Sequence, residues 1–236
     1  MVTPLRAALA DATARFGFSP TARLDAELLM AHALGIDRNA LLLDMERPVP
    51  ATFAGLVERR AAHEPVAYIT GTRGFWTIDL SVGPGALVPR PDSETLLIAA
   101  LAHFGSRAPA TVLDLGTGPG TLLLAALDEW PARGIGVDRS AQALAYATSN
   151  ATALGMAHRT AFVRGDWAAA IDARFDLVLA NPPYIGTDEP LPDEVRRHEP
   201  GSALFAGTDG LDDYRLPAGQ LARPSAPGGR AAVGTR

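Results

Sequence analysis

The chain has 236 residues, 47% of them hydrophobic, enough for one large domain or an ordinary domain beside a small one. Its 26 acidic residues outnumber 21 basic ones, and the formal charge of -5 argues against a general polyanion binder. Every basic residue is arginine and there is no cysteine, which excludes disulfides, thiol nucleophiles, cysteine-ligated zinc and lysine-based phosphate or Schiff-base chemistry.

Five scattered histidines without an HxxxH-type pair argue against a metal centre, so no metal is expected. The start, MVTPLRAALADATARFGF, lacks the apolar run of a signal peptide, and no stretch approaches the roughly 20 apolar residues of a membrane span. A soluble, cytoplasmic protein with no membrane partner is the default expectation.

The first 65 residues read as short helices. Leu24, Leu28 and Ala31 fall at i, i+4 and i+7, with Asp25 and Glu27 off that stripe. Ser19-Pro20 reads as an N-cap followed by proline, and Gly35 as the stop. Phe53, Leu56, Val57 and Arg60 repeat the pattern. From Pro65, VAYITG and GFWTIDLSV read as a hairpin. The loop GPGALVPRPDSETLL then runs into a helix, with Asp92 as N-cap and Glu94 in its first turn.

From Thr111 strands and helices alternate: TVLDLG, LLLAAL, GIGVD, SAQALAYATSNATAL, TAFVRGD and FDLVLAN, with GGRAAV as a fifth strand. Continuous apolar strands of this kind are buried on both faces, which implies an α/β fold with a parallel sheet between helices. The segment from Gly186 to Pro200 fits either a substrate-facing loop or a solvated linker.

Four strand ends carry the chemistry. The first is Asp114-Leu115-Gly116-Thr117-Gly118-Pro119-Gly120, where glycines allow a sharp turn and close approach of a ligand at the carboxyl edge of the sheet. The spacing is GxGxG after an acid, not the dinucleotide GxGxxG, and the acid suits an amino-bearing ligand better than a pyrophosphate. An ordinary glycine turn is the alternative. Asp138 follows at the offset of a ribose-binding acid; it could instead cap the next helix, although Ser140 can fill that role. Asp166 and Trp167 could meet an adenine amino group and ring, or be a capping acid and a core aromatic. Last comes Asn181-Pro182-Pro183-Tyr184. Its prolines hold the chain extended and remove two N–H donors, leaving the carbonyls of Asn181 and Pro182 as acceptors beside an aromatic face. Such a site suits a planar NH2 group.

These motifs resemble class I S-adenosylmethionine-dependent methyltransferases. Within them the chain is similar to the peptide chain release factor N5-glutamine methyltransferases, through RLDAELLMAHALG, EPVAYITG, VPRPDSE, DLGTGPG, GVDRS, GDW, NPPYI and HEPGSALFAGTDGLDDYR. The resemblance implies a Rossmann-like catalytic domain, S-adenosyl-L-methionine as cofactor, and methylation of the glutamine amide in the GGQ motif of release factors. It implies a substrate-docking helical domain over residues 1–70, a hairpin and linker over 71–110 and the catalytic domain over 111–236. Asp114 and the turn Gly116, Thr117, Gly118, Pro119 and Gly120 would cradle the methionine part of the cofactor. Asp138 would hold the ribose, and Asp166 and Trp167 would meet the adenine. Asn181, Pro182, Pro183 and Tyr184 would hold the substrate amide, with Asn181, Pro182 and Tyr184 catalytic and Asn181 also near the cofactor. Arg90, Pro91, Asp92 and Glu94 would wall the pocket, Arg90 and Glu94 from behind it.

After Tyr214 the resemblance decays. Pro217, Pro224 and Pro227 interrupt an expected helix, and the terminal strand pair of the family is expected to be missing, a shortfall of roughly 30–45 residues by ordinary element lengths. The fifth strand would then be an exposed edge open to another chain. Two alternatives follow: an N6-adenine nucleic-acid methyltransferase, which also uses an NPPY site but should carry a basic recognition region, and a cofactor-binding but inactive homologue.

Overall fold

The structure is a computed structural model that describes residues 4–169, 171–213, 215 and 223–234. The chain forms two compact units: Met1–Gly71 with Pro192–His198, and Thr72–Leu191 with Glu199–Arg236.

The first unit is helical: α1 (Pro4–Arg15), α2 (Ala22–Leu34), α3 (Arg38–Leu43), α4 (Thr52–Ala61) and α5 (Val66–Thr70). Leu5, Leu9, Phe16, Leu29, Met30 and Leu41 form its core. The α2 face differs from the expected stripe. Leu24 is exposed, whereas Asp25 and Glu27 are buried beside Leu29 and Met30. Arginine explains the inversion. Glu27 accepts from Arg23 at 2.5 Å and Arg38 at 2.8 Å. Asp25 accepts from buried Arg60 of α4 at 2.9 Å and from the hydroxyls of Ser19 and Thr21. Ser19 therefore serves Asp25 and does not cap α2, which starts after Thr21; Gly35 does close it, in the left-handed region. Arg60 also donates to Glu194 at 2.6 Å and lies 4.9 Å from the centre of the Phe18 ring.

VAYITG is not a strand. Val66–Thr70 is a single helical turn in which the Pro65 carbonyl accepts from Tyr68 and Ile69, and Gly71 closes it with φ +76°. The turn buries Ala67, Tyr68 and Ile69, and that packing outweighs the strand propensity of its β-branched residues.

The second unit opens with an antiparallel hairpin, β1 (Thr72–Phe75) and β2 (Ile78–Ser81), whose turn holds Trp76 at φ +56°. A 3-10 turn, Pro91–Ser93, leads into α6 (Glu94–Phe104). Asp92 therefore lies inside that turn and does not cap α6; its carbonyl accepts from Thr95 Oγ1. Glu94 does lie in the first turn of the helix, and its carboxylate accepts from the Trp76 amide.

There follow β3 (Thr111–Leu115), α7 (Thr121–Glu129), β4 (Arg133–Asp138), α8 (Ala141–Ala153), β5 (Thr160–Arg164) and β6 (Phe175–Ala180). A short helix, α9 (Asp193–His198), belongs to the helical unit, so the stretch expected as a loop or linker contains an element of its own. The last strand is β7 (Ser225–Val233).

The sheet order is β5-β4-β3-β6-β7, all pairs parallel. This is a doubly wound arrangement whose order reverses at β3, next to β6, where such folds bind ligands at the carboxyl ends of the strands. Pro227 sits within β7 where the register with β6 shifts between Phe175 and Leu177, a bulge that dispenses with its missing N–H. Pro224 precedes the strand and its carbonyl accepts from Phe175; Pro217 lies outside the described residues. Among the described residues β7 is an edge of the sheet.

Arg60→Ala leaves Asp25 buried without its cation. The expected loss is about 3–5 kcal/mol of stability in urea unfolding of the helical unit. A loss under about 1 kcal/mol would place the pair in the class of solvated surface bridges.

Candidate active site

The site begins where β3 ends. The amides of Gly116 and Thr117 both donate to the Val137 carbonyl of β4, at 2.9 and 3.0 Å. Gly118 donates to Asp138 Oδ2 at 2.8 Å. Gly116, Gly118 and Gly120 have φ of +72°, +57° and +89°, the left-handed region that glycine enters without steric cost. At Gly120 a side chain would also meet Leu124 at 2.8 Å. The turn is thus held on β4 and aimed across the strand ends. Asp138 Oδ1 accepts from Ser140 N, while Ser140 Oγ caps α8 through Ala143 N. Capping falls to Ser140, and Asp138 binds the glycine turn.

Asp114 is buried. Its Oδ2 accepts from Thr117 Oγ1 at 2.7 Å and Leu123 N at 3.1 Å, and its Oδ1 is buried without a hydrogen-bond partner. Burial, helped by the nearby Asp138 charge, pushes its pKa up to about 7, against the two hydrogen bonds, which lower it. An unmatched carboxylate oxygen here is a place for a cation.

Asp114, Gly116, Thr117, Gly118, Pro119, Asp138, Asp166, Trp167, Asn181 and Pro183 line one cavity, with an empty volume of about 990 Å³ counting its open mouth. Gly120, Pro182 and Tyr184 do not line it. Trp167 adopts φ +47°, an uncommon conformation for a bulky residue that recurs at functional sites. Its ring lies over Gly116, where an added Cβ would meet it at 3.7 Å. Its indole N–H donates to Asp213, whose carboxyl is pushed up by burial against this bond and Arg139.

The wall opposite differs from the expected one. Leu87, Pro89, Arg90 and Ser93 line the cavity, whereas Pro91, Asp92 and Glu94 do not. Arg90 reaches the cavity and is held by buried Glu199, which accepts from Arg90 at 2.5 Å and from the Val88 amide at 3.0 Å. Glu199, Asp213 and Arg139 carry no distinguishing signal of their own in the sequence. They lie in quoted motif segments, Glu199 and Asp213 in HEPGSALFAGTDGLDDYR and Arg139 in GVDRS.

β6 delivers Asn181 to the same cavity. Asn181 Nδ2 donates to Ser93 Oγ at 2.9 Å. Beyond the two prolines, Ile185 pairs in parallel with Phe205: Ile185 N donates to Leu204 O and Ala206 N to Ile185 O. Gly210 packs so closely on Tyr184 that a Cβ would lie 2.6 Å from its carbonyl oxygen. The NPPY segment is therefore fixed by the stretch that follows Glu199.

A glycine turn, a ribose-type acid and an Asn-Pro-Pro-Tyr end grouped on a doubly wound sheet define a methyltransferase domain, and a family model of that description matches residues 107–214. A second, the PrmC N-terminal domain, matches residues 7–71. Three curated relatives share the name release factor glutamine methyltransferase. The protein from Rhodospirillum rubrum is 46% identical over 218 residues, covering 89% of this chain and 67% of its own. That from Caulobacter vibrioides is 43% identical, covering 89% and 75%. That from Cereibacter sphaeroides is 46% identical over 233 residues, covering 96% and 82%. The chain belongs to the release factor glutamine methyltransferase family.

The cavity fits the cofactor expected of that family. An ammonium group would answer the orphan Asp114 oxygen, and Asp138 and Trp167, which line the same cavity, are the residues that would hold a nucleoside.

Because its folded-state pKa is raised, Asp114 contributes stability that is complete below the unfolded value near 4 and is lost as pH rises through about 7. Asp114→Asn should flatten that part of the melting-temperature profile between pH 4 and 8 in ligand-free protein. It should also weaken S-adenosylmethionine binding in calorimetry at pH 8. An unchanged pH profile would show that another group titrates.

Proposed function

We propose that this protein transfers the methyl group of S-adenosylmethionine to the side-chain amide nitrogen of the glutamine in the GGQ motif of a peptide chain release factor. The observation that carries the reading is Asn181, which ends β6 in the same cavity as the glycine turn and Asp114. The cofactor, when bound, supplies an electrophilic methyl group. What remains for the protein is to hold a weak nucleophile in line with it.

An amide nitrogen is weak because its lone pair is delocalised into the carbonyl. Asn181 Oδ1 accepts from one of the NH2 protons, which favours the positive charge that develops on nitrogen in the transition state, and the Pro182 carbonyl is the acceptor assigned to the other, although Pro182 itself does not line the cavity. Pro182 and Pro183 contribute no N–H donors, so nothing on this backbone competes for those acceptors. Orientation of this kind supplies roughly 7–11 kcal/mol of the barrier when the geometry is right. No side chain in NPPY serves as a general base at neutral pH, so the proton leaves after methyl transfer. Family membership favours a glutamine amide over the adenine amino group that NPPY sites also accept. The helical unit is the part that docks the release factor.

With radiolabelled cofactor, label should enter a release factor and not its GGQ Gln→Ala variant, and should not enter DNA. Asn181→Ala should reduce transfer at least about 10²-fold while calorimetric cofactor affinity stays within a few-fold. Equal loss of both would mean that Asn181 serves the cofactor and not the substrate amide.

A further inference from the structure

The proposed chemistry needs Asn181 to present oxygen, not NH2, to a substrate group that is itself NH2. The two ends of an asparagine side chain are nearly the same shape, and a flipped amide would set donor against donor. The side chain that carries this oxygen therefore has to be held in place.

Ser93 is placed to hold that side chain; because a hydroxyl accepts from NH2 and donates to C=O equally well, what it fixes is the position of the side chain and not the choice of its ends. It is buried, and it stands immediately before α6, the N-cap position where serine is favoured for its bond to the helix amides. Yet its side chain makes no cap hydrogen bond. Its Oγ instead accepts from Asn181 Nδ2 at 2.9 Å, across 88 positions of sequence. That bond commits the amide nitrogen and leaves the oxygen on the other side of the side chain.

The other side is defined by Gly234. A Cβ built there would lie 2.3 Å from Asn181 Oδ1 and 3.2 Å from its Cγ. The Gly234 amide donates to the Ala180 carbonyl at 2.8 Å, so this backbone is fixed against the strand end that carries Asn181. No left-handed φ is required at this position. A glycine is needed here for the space it leaves to the amide oxygen.

We propose that Ser93 is a positioning residue for methyl transfer, holding the Asn181 side chain in place through its hydroxyl, and that Gly234 keeps the space the amide oxygen occupies. The inference rests on the function proposed above and adds the device that sets its geometry.

The test compares Ser93→Ala, Ser93→Thr and Gly234→Ala with wild type, measuring kcat and KM on a release factor, cofactor affinity and melting temperature. Ser93→Ala removes one hydrogen bond and should lower kcat about 3- to 10-fold, with KM and cofactor affinity within two-fold. Ser93→Thr keeps the hydroxyl and should restore kcat to within two-fold of wild type. Gly234→Ala should lower kcat at unchanged cofactor affinity by displacing the amide from the side opposite Ser93. Wild-type kcat in Ser93→Ala, or equal failure of the alanine and threonine variants, would overturn the inference alone. Parallel loss of cofactor affinity or folding in Ser93→Ala and Gly234→Ala would overturn it too, by making their role structural. Wild-type protein that labels no release factor would overturn the functional reading and this inference together.

Discussion

The site depends on three hydrogen bonds that tie the turn after β3 to the end of β4. Val137 offers one carbonyl to two successive amides, Gly116 and Thr117, and the Asp138 carboxylate takes a third from Gly118. A glycine-rich turn has more conformational freedom to lose than any other segment. Without those bonds it would sample many shapes, and a ligand would have to order it at a cost in affinity. With them, three positive-φ residues are held before anything binds. The acceptor from Asp138 is charged, which makes that bond shorter and stronger than a neutral one. The same carboxylate also fixes the start of α8 through Ser140.

The parallel sheet then brings distant segments to one place. β3 and β6 are neighbours although α7, β4, α8 and β5 separate them in sequence, and their carboxyl ends open on the same side. The turn after one carries Asp114 and the glycines; the end of the other carries Asn181. The remaining wall comes from the segment before α6, and it too is tied across the sequence. Glu199 binds the Val88 amide and Arg90, while the residues after it run beside Ile185. The pocket wall and the NPPY segment therefore share one support.

Much of this was legible in the sequence because its signals are local. The apolar runs of β3, β4 and β6 need no partner to be recognised, and the glycine spacing and the double proline restrict their own backbones. What escaped is what depends on a partner far along the chain. On α2 the apolar stripe was drawn through Leu24 because charged residues normally face water; Arg60, 35 positions beyond Asp25, reverses the helix face. Val66 and Ile69 favour strands in isolation, but the packing of a single turn decides otherwise. Asp92 was the better cap by residue type, but Pro91 opens a 3-10 turn ahead of the helix. The partnership of Ser93 with Asn181 could not be read from spacing at all, although both residues lie in motifs that drew attention.

The buried acids carry the argument one step further. Among the described residues four carboxylates are buried: Asp25, Glu27, Asp114 and Glu199. Three have arginine partners: Arg60 for Asp25, Arg23 and Arg38 for Glu27, and Arg90 for Glu199. A buried charge is costly unless paired, so these pairings are what physical chemistry demands of a stable fold. Asp114 breaks the rule. The charge that acts on it is another carboxylate, Asp138, and one of its oxygens has no partner. A chain that matches its other buried acids with arginine but leaves this one open keeps an unpaid electrostatic cost at one point, beside the cavity and the glycine turn. Departures from local rules are expected where function requires them. A ligand carrying an ammonium group would remove the cost on binding, so the instability of the empty site becomes part of its affinity.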